Sequence, residues 1–313
     1  MKTIGIDIGG MSVKAGLVDE NGKILYKNVK KTEETAEKVI ANIVWQINDI
    51  LSVNNLSIND IKGIGIGSPG VISSKTGVVE RAHNLNWEKV AICDELKKTF
   101  NTQIKLSNDA NVAALGEAKF GAAKGRKDVV MLTLGTGVGG GIVADGKLFE
   151  GGESKGAELG HVTIAFNGEP CTCGRKGCLE SYASATALIK QTKQAMLNDK
   201  QSKMWDFVSG DIEKVDGRTA FESAKLGDKS ADEVCNNYVA YLAEGMMSFS
   251  NIFRSQAIIV GGGVSAQGEY LINRIKNYCE KYEYGFSGEM PFEILTATLG
   301  NDAGIIGAAA LIE

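Results

Sequence analysis

The chain has 313 residues, more than one hydrophobic core usually serves, so its length predicts two domains. The composition, 43% hydrophobic and 23% charged, is typical of a globular protein, and the net charge of −4 argues against a nucleic-acid partner because no basic stripe is present to replace the counterions of phosphates. No apolar run reaches the roughly 18 residues that a membrane-spanning helix needs, so no membrane partner is expected.

The first predicted elements belong to a pattern that occurs twice in the chain. Residues Ile4–Leu25 and Val130–Phe149 each contain an apolar strand, a glycine break, a second strand, a short turn and a third strand. The turns Asp19–Gly22 and Asp145–Gly146 are typical of hairpins, since Gly and Asn adopt positive φ at little cost. Two copies of one β unit predict two domains of related fold.

Helices and strands alternate after the first copy. Apolar residues at helical spacing predict a helix over residues 33–51. The patterns that follow predict, in order, a strand, a short helix, a strand and a helix, over residues 61–70, 91–100, 102–109 and 110–121. Asn108 or Asp109 is the expected cap of that last helix.

The second half continues the alternation. A capping box from Ser230 to Glu233 predicts the start of a long helix. Residues 257–265 predict a strand that ends in a glycine turn, and residues 301–313 predict a closing helix. Strands that alternate with helices predict an α/β architecture.

Apolar strands run into glycine-rich turns at three places, Gly9-Gly10, Gly135-Thr136-Gly137 and Gly261-Gly262-Gly263. Glycine lets backbone N–H groups approach an anion without a Cβ in the way, so each turn is a candidate phosphate site, with a plain hairpin as the alternative. None matches the Walker pattern G-x-x-x-x-G-K-[ST]. The stretch GTGVGG is followed by a strand and not by a helix, which argues against a dinucleotide-binding loop.

Asp7 and Asp109 are the candidate acidic residues of a phosphoryl-transfer site. Asp7 lies inside an apolar strand before the first glycine turn, where a carboxylate is costly unless it meets donors or a cation such as Mg²⁺; a strand-end turn residue is the alternative. Asp109 stands beside Asn108 at a strand-to-helix junction, where a simple N-cap explains one of the two residues. In a kinase, Asp109 would accept the proton of the attacking hydroxyl.

Three of the six cysteines and one of the two histidines lie in HVTIAFNGEPCTCGRKGCLE, which runs from His161 to Glu180. The N-terminal MKTIGIDIGG breaks into Gly and Asp too early for a signal peptide, which predicts a cytoplasmic, reducing compartment where clustered thiols bind metal. His161, Cys171, Cys173 and Cys178 are the predicted ligands of a tetrahedral zinc ion, which is structural because no coordination position stays open. A disulfide or an inert surface loop is the alternative.

The residues around these ligands suggest a purpose for the metal. Gly174 and Gly177 allow the tight turns that bring three sulfur atoms around one ion. Glu158 and Glu180 flank the segment, and a metal that fixes its ends would hold both carboxylates as acceptors for sugar hydroxyls. A solvated surface charge is the alternative for each glutamate alone.

Five motifs in this order and spacing resemble the ROK family of sugar kinases and repressors: DIGG, SNDANVAALGE, GTGVGGGI, GAELGHVTI and CTCGRKGCLE. The resemblance spans essentially the whole chain. It implies the actin-like sugar-kinase fold, an α/β architecture of two related RNase H-like domains with ATP and sugar in the interdomain cleft. It also implies that the last helix returns to the first domain, so the predicted domains are 1–118 plus 302–313, and 119–301 with the zinc site.

The resemblance also implies a role for each matching residue. Asp109 would be the catalytic base, and His161 would bind both sugar and zinc. The predicted substrate-binding set is Ser68, Pro69, Gly70, Asn84, Asn108, Asp109, Glu158, His161 and Glu180. The predicted ATP- and magnesium-binding set is Asp7, Gly9, Gly10, Ser12, Lys14, Gly135, Thr136, Gly137, Gly261, Gly262 and Gly263.

Met11 departs from the family pattern. Members usually have threonine here, whose hydroxyl helps to hold the nucleotide phosphates, and a methionine side chain has no such donor. Ser12 follows directly and offers a hydroxyl, and the backbone amides of the turn remain. We therefore expect ATP binding to be retained but weaker.

The leading hypothesis is an ATP-dependent hexose kinase that phosphorylates the sugar 6-hydroxyl, with glucose as the substrate because Asn84, Trp87 and the Glu158, His161 and Glu180 set resemble glucokinases. An N-acetylmannosamine kinase, which shares most of these motifs, is the alternative. A sugar-responsive repressor would carry a DNA-binding segment before the first strand, whereas this strand starts within three residues of Met1. A non-catalytic sugar-binding module would not need the acidic residues and glycine turns. The family suggests a homodimer or homotetramer.

Overall fold

The structure is a computed structural model, and it describes residues 1–282, 290 and 292–312. Strands and helices alternate along the chain, which confirms the predicted α/β class. The strands are β1 Lys2–Ile8, β2 Ser12–Val18, β3 Ile24–Lys31, β4 Ile61–Ser68, β5 Val71–Ser73, β6 Val78–Ala82, β7 Trp87–Val90, β8 Ile104–Asn108, β9 Val129–Leu134, β10 Val138–Ala144, β11 Lys147–Phe149, β12 Ala257–Gly261 and β13 Glu293–Thr296. The helices are α1 Ala36–Val53, α2 Ile92–Lys97, α3 Asp109–Lys119, α4 Glu180–Ala183, α5 Ala185–Asn198, α6 Met204–Phe207, α7 Thr219–Lys225, α8 Lys229–Phe253, α9 Glu269–Tyr282 and α10 Ala303–Ala309. Glu313, the last residue of the predicted closing helix, lies outside the described residues.

Two five-stranded sheets have the same strand order. The first runs β3-β2-β1-β4-β8, and the second runs β11-β10-β9-β12-β13. In the first sheet β1 pairs antiparallel with β2 across a short turn and parallel with β4, which a longer connection through α1 allows. The repeat predicted from Ile4–Leu25 and Val130–Phe149 therefore corresponds to the first three strands of each sheet. A third sheet has the order β5-β6-β7.

The chain packs into two compact units. The first comprises Met1–Val129, Gly141–Ala157 and Thr298–Glu313, and the second comprises Val130–Gly140 and Glu158–Ala297. Residues 119–129 and 141–157, which the sequence analysis assigned to the second domain, group here with the first unit. The domain boundaries proposed from the sequence stay a prediction.

The core of the first unit lies between its sheet and α1. Val39, Ile43 and Ile47 of α1 are fully buried, as the helical spacing predicted, and the helix packs on β2 and β3. Ile4 and Ile6 of β1 are also fully buried in this cluster. The apolar stripe of α1 therefore fixes one face of the sheet that carries Asp7.

Helix α10 packs against β1, β4 and α3 at very short range. A Cβ on Gly5 would lie 1.9 Å from the Ile305 carbonyl oxygen, and a Cβ on Gly65 would lie 1.7 Å from the Ala308 oxygen. Because these neighbours are backbone atoms, no side chain can be accommodated at either strand position. The glycines of IGIDIGG and GIGIG thus allow the helix to lie directly on the strands, and α10 groups with the first unit.

A buried carboxylate holds the far end of α3. Glu117 is 0% exposed, and its oxygens accept hydrogen bonds from the backbone N–H groups of Ala122, Thr298 and Leu299 at 2.8, 2.8 and 2.7 Å. A buried carboxylate is costly unless donors satisfy it, and three amides do so here. The contact fixes α3 to the segment that leads into α10.

The long helix α8 supports the second unit, although its start differs from the prediction. The side chain of Asp228 caps it by accepting from the Ala231 N–H, and the predicted capping box from Ser230 to Glu233 is wrong, because the Ser230 hydroxyl donates to Asp199. Fully buried Tyr238 donates its hydroxyl to the carbonyl of Ala183 at 2.7 Å, which fixes α4. Of the helices described, none combines the length and apolar character that crossing a membrane requires.

Candidate active site

Polar side chains of the first unit lie where adjacent parallel strands end. Asp7 in β1 is opposite Gly67 in β4, and Ser68 at the end of β4 is opposite Asn108 at the end of β8. The carboxyl ends of parallel strands meet at one edge of a sheet, which is where open α/β sheets bind ligands. Asp7, Ser68 and Asn108, which the sequence analysis singled out separately, therefore share one edge.

Asn108 caps α3, and Asp109 is the first residue of that helix. The Asn108 Oδ1 accepts from the N–H groups of Ala110 and Asn111 at 2.9 and 3.4 Å, and Ala110 N also donates to Asp109 Oδ1 at 2.9 Å. The prediction that one of the pair caps the helix is confirmed for Asn108. The positive end of the helix dipole favours a negative charge at Asp109.

The loop Ser68–Gly70 contacts the Asn108 side chain, whose Nδ2 donates to the Gly70 carbonyl at 3.2 Å. Gly70 has a φ of 102°, and a Cβ there would lie 2.2 Å from the Arg81 carbonyl oxygen, so only glycine fits. This close approach places the end of β6, two residues before exposed Asn84, against the loop. Gly70, the Asn108 side chain and the end of β6 thus lie together, and Asn84 follows that strand end by two residues.

Asp7 forms an ion pair with Lys14, its cross-strand neighbour. The Lys14 Nζ lies 3.2 Å from Asp7 Oδ2 and 3.3 Å from the Asn301 carbonyl oxygen. A Cβ on Gly304 would lie 2.5 Å from the Asp7 carboxyl carbon, so α10 covers the aspartate closely. Lys14 therefore supplies a cationic donor to a carboxylate that lies inside an apolar strand, and the predicted magnesium contact of Asp7 stays a prediction.

The turn between β1 and β2 is bonded to Thr32 after β3. Gly9 N donates to the Ser12 carbonyl at 2.9 Å, and Thr32 Oγ1 donates to the Gly9 carbonyl at 2.6 Å. The Met11 side chain is 88% exposed, while its carbonyl accepts from Thr32 N at 3.1 Å. The turn with Gly9 and Gly10 therefore forms without a threonine hydroxyl at position 11.

The two glycine turns of the second unit lie side by side. Gly135–Gly137 follows β9 and Gly261–Gly263 ends β12, and these strands are neighbours in the sheet. Gly262 has a φ of 81°, and a Cβ there would lie 2.5 Å from the oxygen of Leu134, the residue before the other turn. Gly135 N donates to the Gly137 carbonyl at 3.0 Å. Two of the turns predicted to bind the nucleotide thus adjoin each other.

His161, Cys171, Cys173 and Cys178 form a cluster whose donor atoms all lie within 4.8 Å of one another. Cys173 Sγ is 3.7 Å from Cys178 Sγ, and Cys171 Sγ is 3.5 Å from His161 Nδ1. A tetrahedral zinc ion with its usual bond lengths would separate two sulfur ligands by about 3.8 Å and a sulfur from a nitrogen by about 3.6 Å. The donor set and its spacing therefore fit a tetrahedral metal ion, and the 3.7 Å separation is too long for a disulfide.

Glycine turns and one arginine shape the loop that carries this cluster. Gly174 and Gly177 have φ values of 87° and 78°, as the predicted tight turns require. Arg175 donates to the His161 carbonyl at 3.3 Å and to Thr163 Oγ1 at 2.8 Å. The backbone N–H of Arg175 also donates to the exposed Cys173 thiol, which lowers the pKa of that thiol.

The two glutamates that flank the cluster differ in their contacts. Glu158 is exposed, and its carbonyl accepts from His161 N at 3.0 Å. Glu180 is half-buried at the start of α4, and its Oε1 and Oε2 accept from Thr172 Oγ1 at 3.1 Å and from Val138 N at 3.0 Å. One carboxylate therefore faces solvent, and the other lies between the loop that carries the three cysteines and the strand after Gly135–Gly137.

Thr172 and Glu117 are site-supporting residues that the sequence analysis missed. The signal for Thr172 was its position between two predicted cysteine ligands, which places its hydroxyl at the cluster. Glu117 could have been found because it is a carboxylate in a helix whose neighbouring residues, such as Leu115 and Ala118, are apolar and buried.

Comparisons with known proteins extend over the whole chain. The family model described as ROK family matches residues 3–313. The glucokinase of Thermotoga maritima is 39% identical, covering 100% of this chain and 98% of its own, and that of Halalkalibacterium halodurans is 35% identical, covering 99% and 94%. The crystal structure of a ROK family glucokinase from Streptomyces griseus in complex with glucose and AMPPNP matches with a TM-score of 0.80 at 34% identity, over 99% of both chains.

Proposed function

Because the chain belongs to the ROK family, we propose that it transfers the γ-phosphoryl group of ATP to the 6-hydroxyl of a hexose, with glucose as the preferred hexose. Its fold is the actin-like sugar-kinase fold that the sequence resemblance implied. The observation that carries the proposal is the likeness, over almost the whole chain, to glucokinases of several bacteria, one of them crystallised with glucose and AMPPNP.

Asp109 is the proposed catalytic base. It accepts the proton of the sugar 6-hydroxyl as that oxygen attacks the phosphoryl group. Because the transition state of phosphoryl transfer is loose, the carboxylate mainly orients the hydroxyl, and such a base contributes about 10²–10⁴-fold to the rate. Asn108 and the loop Ser68–Gly70, which contact each other, bind the sugar beside it together with Asn84.

The cluster of His161, Cys171, Cys173 and Cys178 is the proposed site of a structural zinc ion. Thiolates and imidazole are the ligands that zinc prefers, and four protein ligands leave no position open for a substrate. The role of the cluster is to fix the loop that presents His161, Glu158 and Glu180 to the sugar hydroxyls. The cluster takes no part in the transfer itself.

The glycine turns are the proposed binding elements for ATP and Mg²⁺. Backbone N–H groups of the turns Gly9-Gly10, Gly135–Gly137 and Gly261–Gly263, other than those of Gly9 and Gly135 that are bonded within their own turns, donate to the nucleotide. Asp7, Ser12 and Lys14 lie at the first of these turns. When bound with ATP, Mg²⁺ withdraws negative charge from the transferring group.

A coupled assay of ADP release with glucose, mannose, fructose, N-acetylglucosamine and N-acetylmannosamine tests the proposal. We expect glucose to give the highest kcat/KM, with glucose 6-phosphate identified as the product by glucose-6-phosphate dehydrogenase. Turnover with N-acetylmannosamine but not glucose would favour the alternative kinase. Absence of ADP release with all five sugars would contradict a hexose kinase. The oligomeric state, the cytoplasmic location and the cleft between domains stay predictions.

A further inference from the structure

The carboxylate of Glu180 joins the metal-binding loop to a glycine turn. Its Oε2 accepts from the N–H of Val138, the residue directly after Gly137, at 3.0 Å. Its Oε1 accepts from the hydroxyl of Thr172, between two cysteines of the cluster, at 3.1 Å. A Cβ on Gly137 would lie 2.4 Å from Glu180 Oε2, so the carboxylate oxygen rests against the turn itself.

This position conflicts with phosphate binding at the same turn. An amide that donates to Glu180 Oε2 is not free to donate to a phosphate oxygen. The donors to Glu180 are the amide of Val138, the hydroxyl of Thr172 and, at 3.8 Å, the Sγ of Cys171. None of the three carries a positive charge, so none compensates the charge of the carboxylate. A zinc ion with three thiolates and a neutral imidazole would carry a net negative charge and would not compensate it either. A negative group therefore adjoins the turn at Gly135–Gly137.

We propose that Glu180 makes nucleotide binding depend on the sugar. Without sugar, its carboxylate occupies the Val138 amide and opposes the phosphates of ATP at Gly135–Gly137. When sugar hydroxyls donate to the carboxylate, it moves from the amide, and the turn accepts the phosphates. The inference rests on the proposed function, which makes Glu180 a sugar ligand and the turn a phosphate site.

Thr172 sets the resting position of the carboxylate. Its hydroxyl holds one oxygen of Glu180, so the other points at Val138. Glu158, the second proposed sugar carboxylate, is exposed and stands on the other side of the cluster in sequence. Both glutamates are assigned to the sugar, but the Glu180 side chain also contacts the turn. Substitutions at the two positions should therefore have different effects on nucleotide binding.

Thermodynamic linkage makes the effect of glucose on nucleotide binding reciprocal. If glucose tightens the binding of the nucleotide by some factor, the nucleotide tightens the binding of glucose by the same factor. Coupling of this kind is usually about 5–150-fold. The dependence on sugar also limits wasteful hydrolysis of ATP, because the phosphates are held firmly only when an acceptor hydroxyl is present.

Calorimetric titration of Mg-AMPPNP into the full chain, without sugar and then with saturating glucose, tests the inference. Glu180→Gln removes the charge and keeps the shape. We expect it to bind Mg-AMPPNP about tenfold more tightly than the wild type without sugar, to bind glucose more weakly, and to lose most of the coupling between the two ligands. If Glu180 had only a structural role, Glu180→Gln would instead weaken the binding of both glucose and Mg-AMPPNP.

Glu158→Gln is the matched control. It should weaken glucose binding but leave the sugar-free dissociation constant of Mg-AMPPNP unchanged. Equal tightening in both variants would overturn the inference, because the effect would then follow from any lost negative charge near the cluster. An unchanged or weaker sugar-free affinity in Glu180→Gln would overturn it directly.

Thr172→Val keeps the inference testable if Glu180→Gln does not fold. Loss of the hydroxyl should tighten sugar-free Mg-AMPPNP binding by a smaller factor in the same direction, and Thr172→Ser should restore the wild-type value; no change in Thr172→Val would count against the inference. The sugar-free titration does not depend on which hexose is the substrate. Failure of the proposed function appears separately, as a wild-type chain that phosphorylates no hexose or binds no nucleotide.

Discussion

Asn108 and Asp109 are adjacent but make different contacts. Asn108 caps α3 through its side-chain oxygen and holds the loop at Gly70 through its side-chain nitrogen. Asn108 therefore caps the helix by accepting from both Ala110 N and Asn111 N, and Asp109 shares the first of these two donors. Chemistry and helix stability are assigned to different residues, so they can be separated by mutation.

Asp109→Asn is expected to remove activity without removing sugar binding. The amide cannot accept the hydroxyl proton, so kcat should fall by about 10²–10⁴-fold. The dissociation constant for glucose, measured by calorimetry, should stay within about threefold of the wild-type value, and the far-UV circular dichroism spectrum should be unchanged. Asp94→Asn, an exposed first-turn carboxylate of α2, is the control and should retain full kcat. A kcat near the wild-type value in Asp109→Asn would exclude the base role.

The sequence indicated the junction of β8 and α3 at these residues better than it indicated their contacts. The strand-to-helix junction at Asn108 and Asp109 was visible, but both residue types are good caps, so the pattern could not decide between them. The link from Glu180 to Val138 joins positions 42 residues apart in the chain, and no local pattern specifies such a pair.

At the scale of elements, the contact of α10 with the first sheet depends on strand positions that are occupied by glycine. Gly5 and Gly65 allow the backbone of α10 to lie on β1 and β4. A sequence shows that a strand contains glycines, but it does not show what approaches them, because the approaching helix comes from the other end of the chain. The start of α8 was mispredicted for a related reason, since the contact of Ser230 with Asp199 is not local.

Gly65→Ala is expected to destabilise the protein strongly. The new Cβ would meet the Ala308 carbonyl oxygen at 1.7 Å, and backbone atoms cannot move aside as a flexible side chain can. The free energy of unfolding, measured by urea denaturation, should fall by about 3 kcal/mol, at the upper end of the usual cost of overpacking.

Substitutions at two further glycines test whether the loss of stability depends on the close approach of α10. Gly16→Ala would meet only a methyl group of Ile305 at 2.8 Å as its nearest atom and should cost less. Gly152→Ala has nothing within 4 Å and should change stability by no more than about 0.5 kcal/mol. Equal stability of the Gly65 and Gly152 variants would show that α10 does not rest on β4 in this way.

For the whole molecule, two sheets of one strand order each belong to a unit with its own candidate residues. The first unit holds Asp7 and Asp109, and the second holds the His161, Cys171, Cys173 and Cys178 cluster with Glu180. The repeat was predictable because both copies kept the strand, glycine and turn order. The unit boundaries were not predictable, because the chain passes between the units several times and only packing reveals which segments group together.

Removal of the metal is expected to weaken glucose binding and spare nucleotide binding. The protein is treated with a chelator, which is then dialysed away, and thermal unfolding is followed with glucose or Mg-AMPPNP. A ligand at 100 times its Kd stabilises the folded state by about 2.7 kcal/mol, so the rise in Tm with glucose should vanish in the metal-free protein while the rise with Mg-AMPPNP remains.

Cysteine variants provide the matched comparison for this experiment. Cys173→Ser should reproduce the metal-free behaviour and bind no zinc by elemental analysis. Cys235→Ala should not, because Cys235 lies outside the cluster and burial raises the pKa of its thiol to about 12, so that it stays protonated at neutral pH. Equal loss of both Tm shifts would indicate general unfolding.

The return of α10 to the first sheet has a consequence for biosynthesis. Ribosomes add about 5–20 residues per second, so residues 303–309 emerge many seconds after β1. Until then, the glycine-lined surface of the nascent sheet stays uncovered. Completion of the first unit must therefore await synthesis of residues 303–309, and this chain should need chaperone protection for longer than a protein whose units mature in order of translation.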